Sequence, residues 1–209
     1  TDSRDGKKYY ITVAGGREWF RQNLAYEGEI KDGDVVLTGV PYRNATAMTD
    51  VLGLFYTHKA ALQACPSGWR VPTEEDWASL ANVTAARNGL KDGSTFTPGK
   101  DFRNVAGGMM ADAHFNGTKM WEFWPDVKIT NATGFCSIPT GYGILGTGTT
   151  FYAGSEDAVY WTSSSYKEES SADELAINRM INVNKPDFIS NTVSKDSFLA
   201  SVRCVRDSE

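Results

Sequence analysis

Cys65-Pro66-Ser67-Gly68-Trp69-Arg70-Val71-Pro72-Thr73-Glu74-Glu75-Asp76-Trp77 is the stretch on which the reading of the fold turns. It joins two helical patterns. Upstream, Ala60, Ala61, Leu62 and Ala64 favour a short helix that Thr57 can cap. Pro66 ends that helix, because the residue before a proline resists helical geometry, so Cys65 stands at its close. Downstream, Thr73 followed three residues later by Asp76 resembles a capping box. Trp77, Leu80 and Ala81 then lie on one apolar face, and Glu74, Glu75 and Asp76 suit the positive end of the helix dipole. The spacing predicts a helix over about 73–86. Between the helices every residue has a backbone or packing task. Gly68 and Pro72 shape a tight passage, Trp69 fills the core and Arg70 pairs with a carboxylate.

Towards the N-terminus, Tyr9 to Val13 and Glu18 to Phe20 are β-rich runs around Gly15-Gly16, a hairpin signal. Asp32-Gly33 marks another turn before Val35-Val36-Leu37. Towards the C-terminus, Gly, Thr, Asn and aromatic residues dominate from Gly89 onward, which predicts a long irregular region. Strand patterns return at Ala158 to Ser164, Ala176 to Ile181 and Phe198 to Val205. No repeat and no Pro/Ser linker divides the chain, so residues 1–209 read as one domain of α+β class.

The 209 residues suffice for a sizeable core, and the hydrophobic (41%) and charged (22%) fractions are those of a globular protein. A net charge of −5 with scattered basic residues argues against nucleic acid, whose phosphates are held mainly by Lys and Arg. No apolar run approaches the ~18 residues of a membrane span. The chain starts on polar residues, Thr1 to Gly6, that look like the trimmed end of something longer. The three cysteines, Cys65, Cys136 and Cys204, allow at most one internal pair plus a free thiol, and none has metal or redox spacing.

The Cys65–Trp77 segment resembles the signature of the Fibrobacter succinogenes major paralogous domain, a family of exported bacterial domains. Further blocks follow the same resemblance in order. They are Trp19-Phe20-Arg21-Gln22-Asn23-Leu24, Gly53-Leu54-Phe55-Tyr56-Thr57, Asn131 to Tyr142, Trp161-Thr162-Ser163-Ser164, and Ser201 to Asp207. The family is similar to C-type-lectin-like domains. That implies two helices on small twisted antiparallel sheets, the two chain ends paired in one sheet (Tyr9 to Val13 with Ser201 to Val205), and a long loop region. The Gly-Trp-Arg-Val-Pro-Thr-Glu passage also resembles the formylglycine-generating enzymes, which share that fold.

The resemblance implies a disulfide between Cys65 and Cys204, with two unpaired buried thiols as the alternative. Cys136, where the family often has Ser, is expected to be a buried free thiol. Calcium-dependent sugar binding is not expected. The strand beginning at Trp161 continues with Thr162 and Ser163 rather than an acid, and Lys185-Pro186-Asp187 lies on the wrong side of it. No metal, cofactor or catalytic residue is expected. His58 and His114 stand far apart without a motif, and read as structural or surface residues. Glu156-Asp157 and Glu168-Glu169 read as solvated loop acids.

The expected function is therefore an exported surface or secreted module that binds a glycan or a surface protein without calcium. Any membrane contact would come through a lipid anchor outside this chain. The candidate ligand-binding residues are Trp121, Glu122, Phe123 and Trp124, because aromatic faces and nearby carboxylates suit sugars or peptides. At least one of the two tryptophans is expected in the core. Competing readings are a structural cell-surface assembly domain and an enzyme related to the formylglycine-generating group.

Overall fold

The computed structural model describes residues 1–89, 95–121, 127–167 and 174–208. In chain order its strands are β1 (Ile11–Ala14), β2 (Arg17–Phe20), β3 (Ile30–Asp32), β4 (Val35–Leu37) and β5 (Phe55–Tyr56), followed by β6 (His114–Phe115), β7 (Thr118–Lys119), β8 (Tyr142–Leu145) and β9 (Thr149–Tyr152). The last five are β10 (Asp157–Lys167), β11 (Glu174–Asn182), β12 (Phe188–Val193), β13 (Phe198–Ser201) and β14 (Val205–Asp207). The helices are α1 (Thr49–Leu52), α2 (His58–Ala64), α3 (Glu74–Arg87) and α4 (Ala106–Met109). The class is α+β, as the patterning implies. The two expected helices are α2 and α3, and two single-turn helices join them.

The helix ends follow the local chemistry. Thr57 accepts the Ala60 N–H at the start of α2, and Cys65 leaves the helix in extended geometry before Pro66. At α3 the capping box forms: Thr73 Oγ1 accepts from Asp76 N, and the Asp76 carboxylate accepts from Thr73 N at 2.9 Å. The Asp76 carboxylate also binds Arg70 and, at 2.7 Å, Arg17. Gly68 takes a positive φ of 81°, the turn geometry that favours glycine. Trp69 does not fill the core. It is half-buried, beside Phe20 at 4.4 Å and under the Arg206 guanidinium at 4.5 Å.

Two sheets organise the chain. One has the order β1-β2-β14 and so joins both ends of the chain, but β14 pairs with β2 rather than with Tyr9 to Val13, and Ser201 belongs to the other sheet. The other has seven strands, with the path β12-β11-β10-β13-β8-β9 and β5 on β13. The expected continuous strand over 198–205 is split. β13 pairs with β5, β8 and, in parallel, β10, whereas β14 crosses to β2. Val202 to Cys204 carry the chain from one sheet to the other. The Asp32-Gly33 turn closes the β3–β4 hairpin. The Gly-rich stretch from 106 to 152 is less irregular than its composition suggests, since it holds α4 and β6 to β9.

β10 shows how the core is divided. Residues Asp157 to Thr162 are all buried, a run typical of a strand covered on both faces. Ala158 and Tyr160 join one cluster with Trp19, Trp77, Phe102, Phe135 and Phe188, beneath α3. Val159 and Trp161 join another with Phe20, Tyr56, Ala61 and Cys204, beneath α2. The Cys65–Cys204 disulfide pins the end of α2 to the crossover, with a Cα–Cα distance of 5.8 Å. Cys136 is the free cysteine, and it is half-buried rather than sealed. Its φ is +58°, and its sulfur accepts from Arg21 Nη2 and Asn131 Nδ2, both at 3.1 Å. Asp157 is also not the solvated acid expected. It starts β10 in a buried position, accepts from Asn182 Nδ2 at 2.6 Å, and burial raises its pKa.

Candidate functional site

The blocks that carry the family resemblance meet inside the protein. Arg203 is wholly buried and reaches four oxygens: Asn23 Oδ1 (2.6 Å), Phe20 O (3.2 Å), Phe135 O (2.6 Å) and Cys136 O (3.0 Å). Its guanidinium lies 4.5 Å from the Phe135 ring centroid. Burial lowers its pKa, against the raising effect of Tyr160 nearby. Trp161 Nε1 donates to Tyr56 O at 2.7 Å, which joins two further blocks. Arg203 and Trp161 thus tie several blocks of the signature together in the interior.

The sequence-derived candidates divide. Trp121 is 1% exposed, and its Nε1 donates to Ser137 O at 3.1 Å. It is a core residue, so its ring is not offered to a ligand. Glu122, Phe123 and Trp124 lie outside the described residues.

Just downstream in the chain, Val127 and Lys128 line a cleft of about 520 Å³ with Arg87, Asn88, Asn104, Thr130 and Pro186. The floor is built by α4. The Gly107 carbonyl accepts from Thr130 N (2.9 Å) and Asn131 N (3.3 Å), which draws 127–131 against the helix. A Cβ at Gly107 would collide with the Lys128 carbonyl, so the close approach requires glycine. Thr130 Oγ1 donates to Asn88 Oδ1 at 2.7 Å, and Arg87 Nη1 donates to Ala132 O at 3.3 Å. Arg87 comes from the last turn of α3, where a cation is favoured by the dipole. Asn104 enters with φ +58° and donates its N–H to Asp187 Oδ1. The described lining therefore brings two cations, two amides and a hydroxyl together, with no carboxylate among the described residues. Sequence reasoning placed the site just upstream in the chain, on Trp121 to Trp124. It missed Arg87, Asn104 and Thr130, which are far apart in the chain.

His58 was read as structural, and it is 2% exposed, while His114 is exposed as expected. Among the described residues, no group of three or more His, Cys, Asp or Glu side chains could hold a metal ion.

No curated protein and no solved structure matches this chain. A family model described as the Fibrobacter succinogenes major domain matches residues 13–206, nearly the whole length. The chain belongs to the Fibrobacter succinogenes major domain family.

Proposed function

We propose that this is an exported, non-catalytic binding module with a C-type-lectin-like fold, which takes an acidic glycan in the cleft lined by Arg87, Asn104, Lys128 and Thr130 without calcium. The observation that carries this is the lining of that cleft: Arg87 and Lys128 with Asn88, Asn104 and Thr130, in a protein of net charge −5. Such cations pair with sugar carboxylates, while amides and hydroxyls serve hydroxyl groups. The volume lies in the range of small-ligand sites. Both chain ends in one sheet, two capped helices and the bridge to the last segment support the lectin-like comparison. A disulfide is also what an oxidising, extracellular or outer-membrane location would permit. The test is a glycan array with matched neutral and uronic-acid oligosaccharides. Acidic members should bind, and Arg87→Met with Lys128→Met should abolish the signal. Equal binding of neutral members, or no binding at all, would overturn the reading.

One observation favours a second reading, that of an assembly domain. Arg21 N donates to Tyr10 O, so Tyr10 and Thr12 face β2 and the backbone groups of Ile11 and Val13 point outward from β1. The side chains of Tyr10, Ile11 and Val13 are exposed on this open edge. Concentration-dependent oligomers that vanish on Val13→Lys would support it. An enzyme of the formylglycine-generating type would need a reactive cysteine pair, and here Cys65 and Cys204 are joined as a core staple.

A further inference from the structure

A second cleft, of about 600 Å³, is lined by His58, Lys59 and Leu62 of α2, Glu174 and Leu175 of β11, and Ser194, Lys195 and Asp196 of the β12–β13 turn. His58 is its deepest polar group. Its ring is held by a bond from Nε2 to the Thr162 carbonyl at 2.9 Å and by an edge contact with Trp161 at 5.1 Å. A carbonyl can only accept, so Nε2 carries the proton and Nδ1 keeps its lone pair. Among the described residues nothing donates to Nδ1, and His58 itself lines the cleft. At the rim, Lys195 Nζ and a Glu174 oxygen stand 2.7 Å apart.

Two features narrow the ligand. The described lining balances two cations, Lys59 and Lys195, against two anions, Glu174 and Asp196, so it favours a neutral molecule. An adjacent donor and acceptor suit a hydroxyl, which both gives and takes a hydrogen bond. Leu62 and Leu175 add an aliphatic wall for C–H groups. We propose that this cleft is a separate binding site for a neutral polyol of hexopyranose size. One hydroxyl donates to His58 Nδ1, and a second bridges Glu174 and Lys195.

Burial holds the His58 pKa below its ordinary 6.5, and Lys195 lowers it further, against the opposing effects of the Thr162 carbonyl and Glu174. The lone pair is therefore present at neutral pH. Lys59 lines the same cleft but is paired with Asp32 at 2.9 Å, and Asp196 is the remaining charged group of the described lining.

The test is a titration of protein carrying ¹⁵N-labelled histidine with D-glucose and D-galactose at pH 7.5, with glycine as a zwitterionic probe. The Nδ1 resonance of His58 should move saturably with at least one hexose, at millimolar concentration, and not with glycine. In uniformly ¹⁵N-labelled protein the Leu175 amide should shift with the same hexose, and His58→Gln, which keeps a donor for Thr162 but removes the Nδ1 acceptor, should abolish that shift. Glu174→Gln and Lys195→Met replace partly exposed side chains that the core does not need. Each should weaken binding about tenfold, the effect of losing one charge-assisted bond. No response to either hexose, a stronger response to glycine, or unchanged affinity in the two rim variants would overturn the proposal.

Discussion

Asp76→Asn probes the stretch that decides the fold. The Asp76 side chain is 1% exposed and receives Arg70, Arg17 at 2.7 Å and Thr73 N at 2.9 Å. Burial alone would raise its pKa, but the bonds from Arg70, Thr73 and Arg17 outweigh it and hold the carboxyl at about 2, against 3.8 when free. At about 1.4 kcal/mol per pH unit, that drop corresponds to about 2.5 kcal/mol of stability. A depressed pKa contributes above the unfolded value and is lost as pH falls through the folded one. The contribution is thus complete above about pH 4 and fades towards pH 2. The two arginines lose less, because they are partly exposed and Asp207 lies 3.3 Å from Arg17 and 3.8 Å from Arg70. Urea denaturation of wild type and Asp76→Asn from pH 7 to pH 2 measures this directly. The gap should be about 2–3 kcal/mol at pH 7 and should shrink to under about 1 kcal/mol at pH 2. A gap of the same size at both ends would refute the electrostatic account and leave a purely steric one.

Three further outcomes follow from the fold. Cys65→Ala with Cys204→Ala opens a crosslink of sequence separation 139, worth about 5 kcal/mol on the chain-entropy view, and should sharply lower the urea midpoint. Arg203→Met leaves four buried oxygens without their donor and should cost about 3 kcal/mol, read from the same midpoint; an unchanged midpoint would show that the network is dispensable. Cys136→Ser should leave stability within about 1 kcal/mol, because a hydroxyl can accept from Arg21 and Asn131 as the thiol does, whereas the wild-type thiol should react with a maleimide in the native state.

The candidate site was only partly legible in advance. Residues 121–124 attracted attention by type, since tryptophan beside acids suits a ligand. Type does not distinguish a ring that stacks on sugar from one that fills a core, and Trp121 does the latter. The cleft lined by Val127 and Lys128 gathers Arg87, Asn104, Thr130 and Pro186 from four separate segments, none with a motif of its own. His58 was read as structural on the same footing. That reading holds for its Nε2 bond to Thr162, but it missed the cleft that the ring lines.

By itself the sequence determined what depends on neighbours within about four residues. The Thr57 and Thr73 caps, the stop at Pro66, and the Gly15-Gly16 and Asp32-Gly33 turns all stand where the residues place them. These signals are local because a cap or turn satisfies its own backbone groups. Only the tertiary structure decided which strands meet. Phe198 to Val205 reads as one alternating strand, yet Ser201 pairs in parallel with Tyr160 while Val205 pairs with Trp19, so the chain must break between them. That choice belongs to partners 41 and 186 residues away, by subtraction of the paired positions. The burial of Asp157, Trp121 and Arg203 was settled in the same way: each became interior because distant chain supplied its hydrogen-bond partner, Asn182, Ser137 or Asn23.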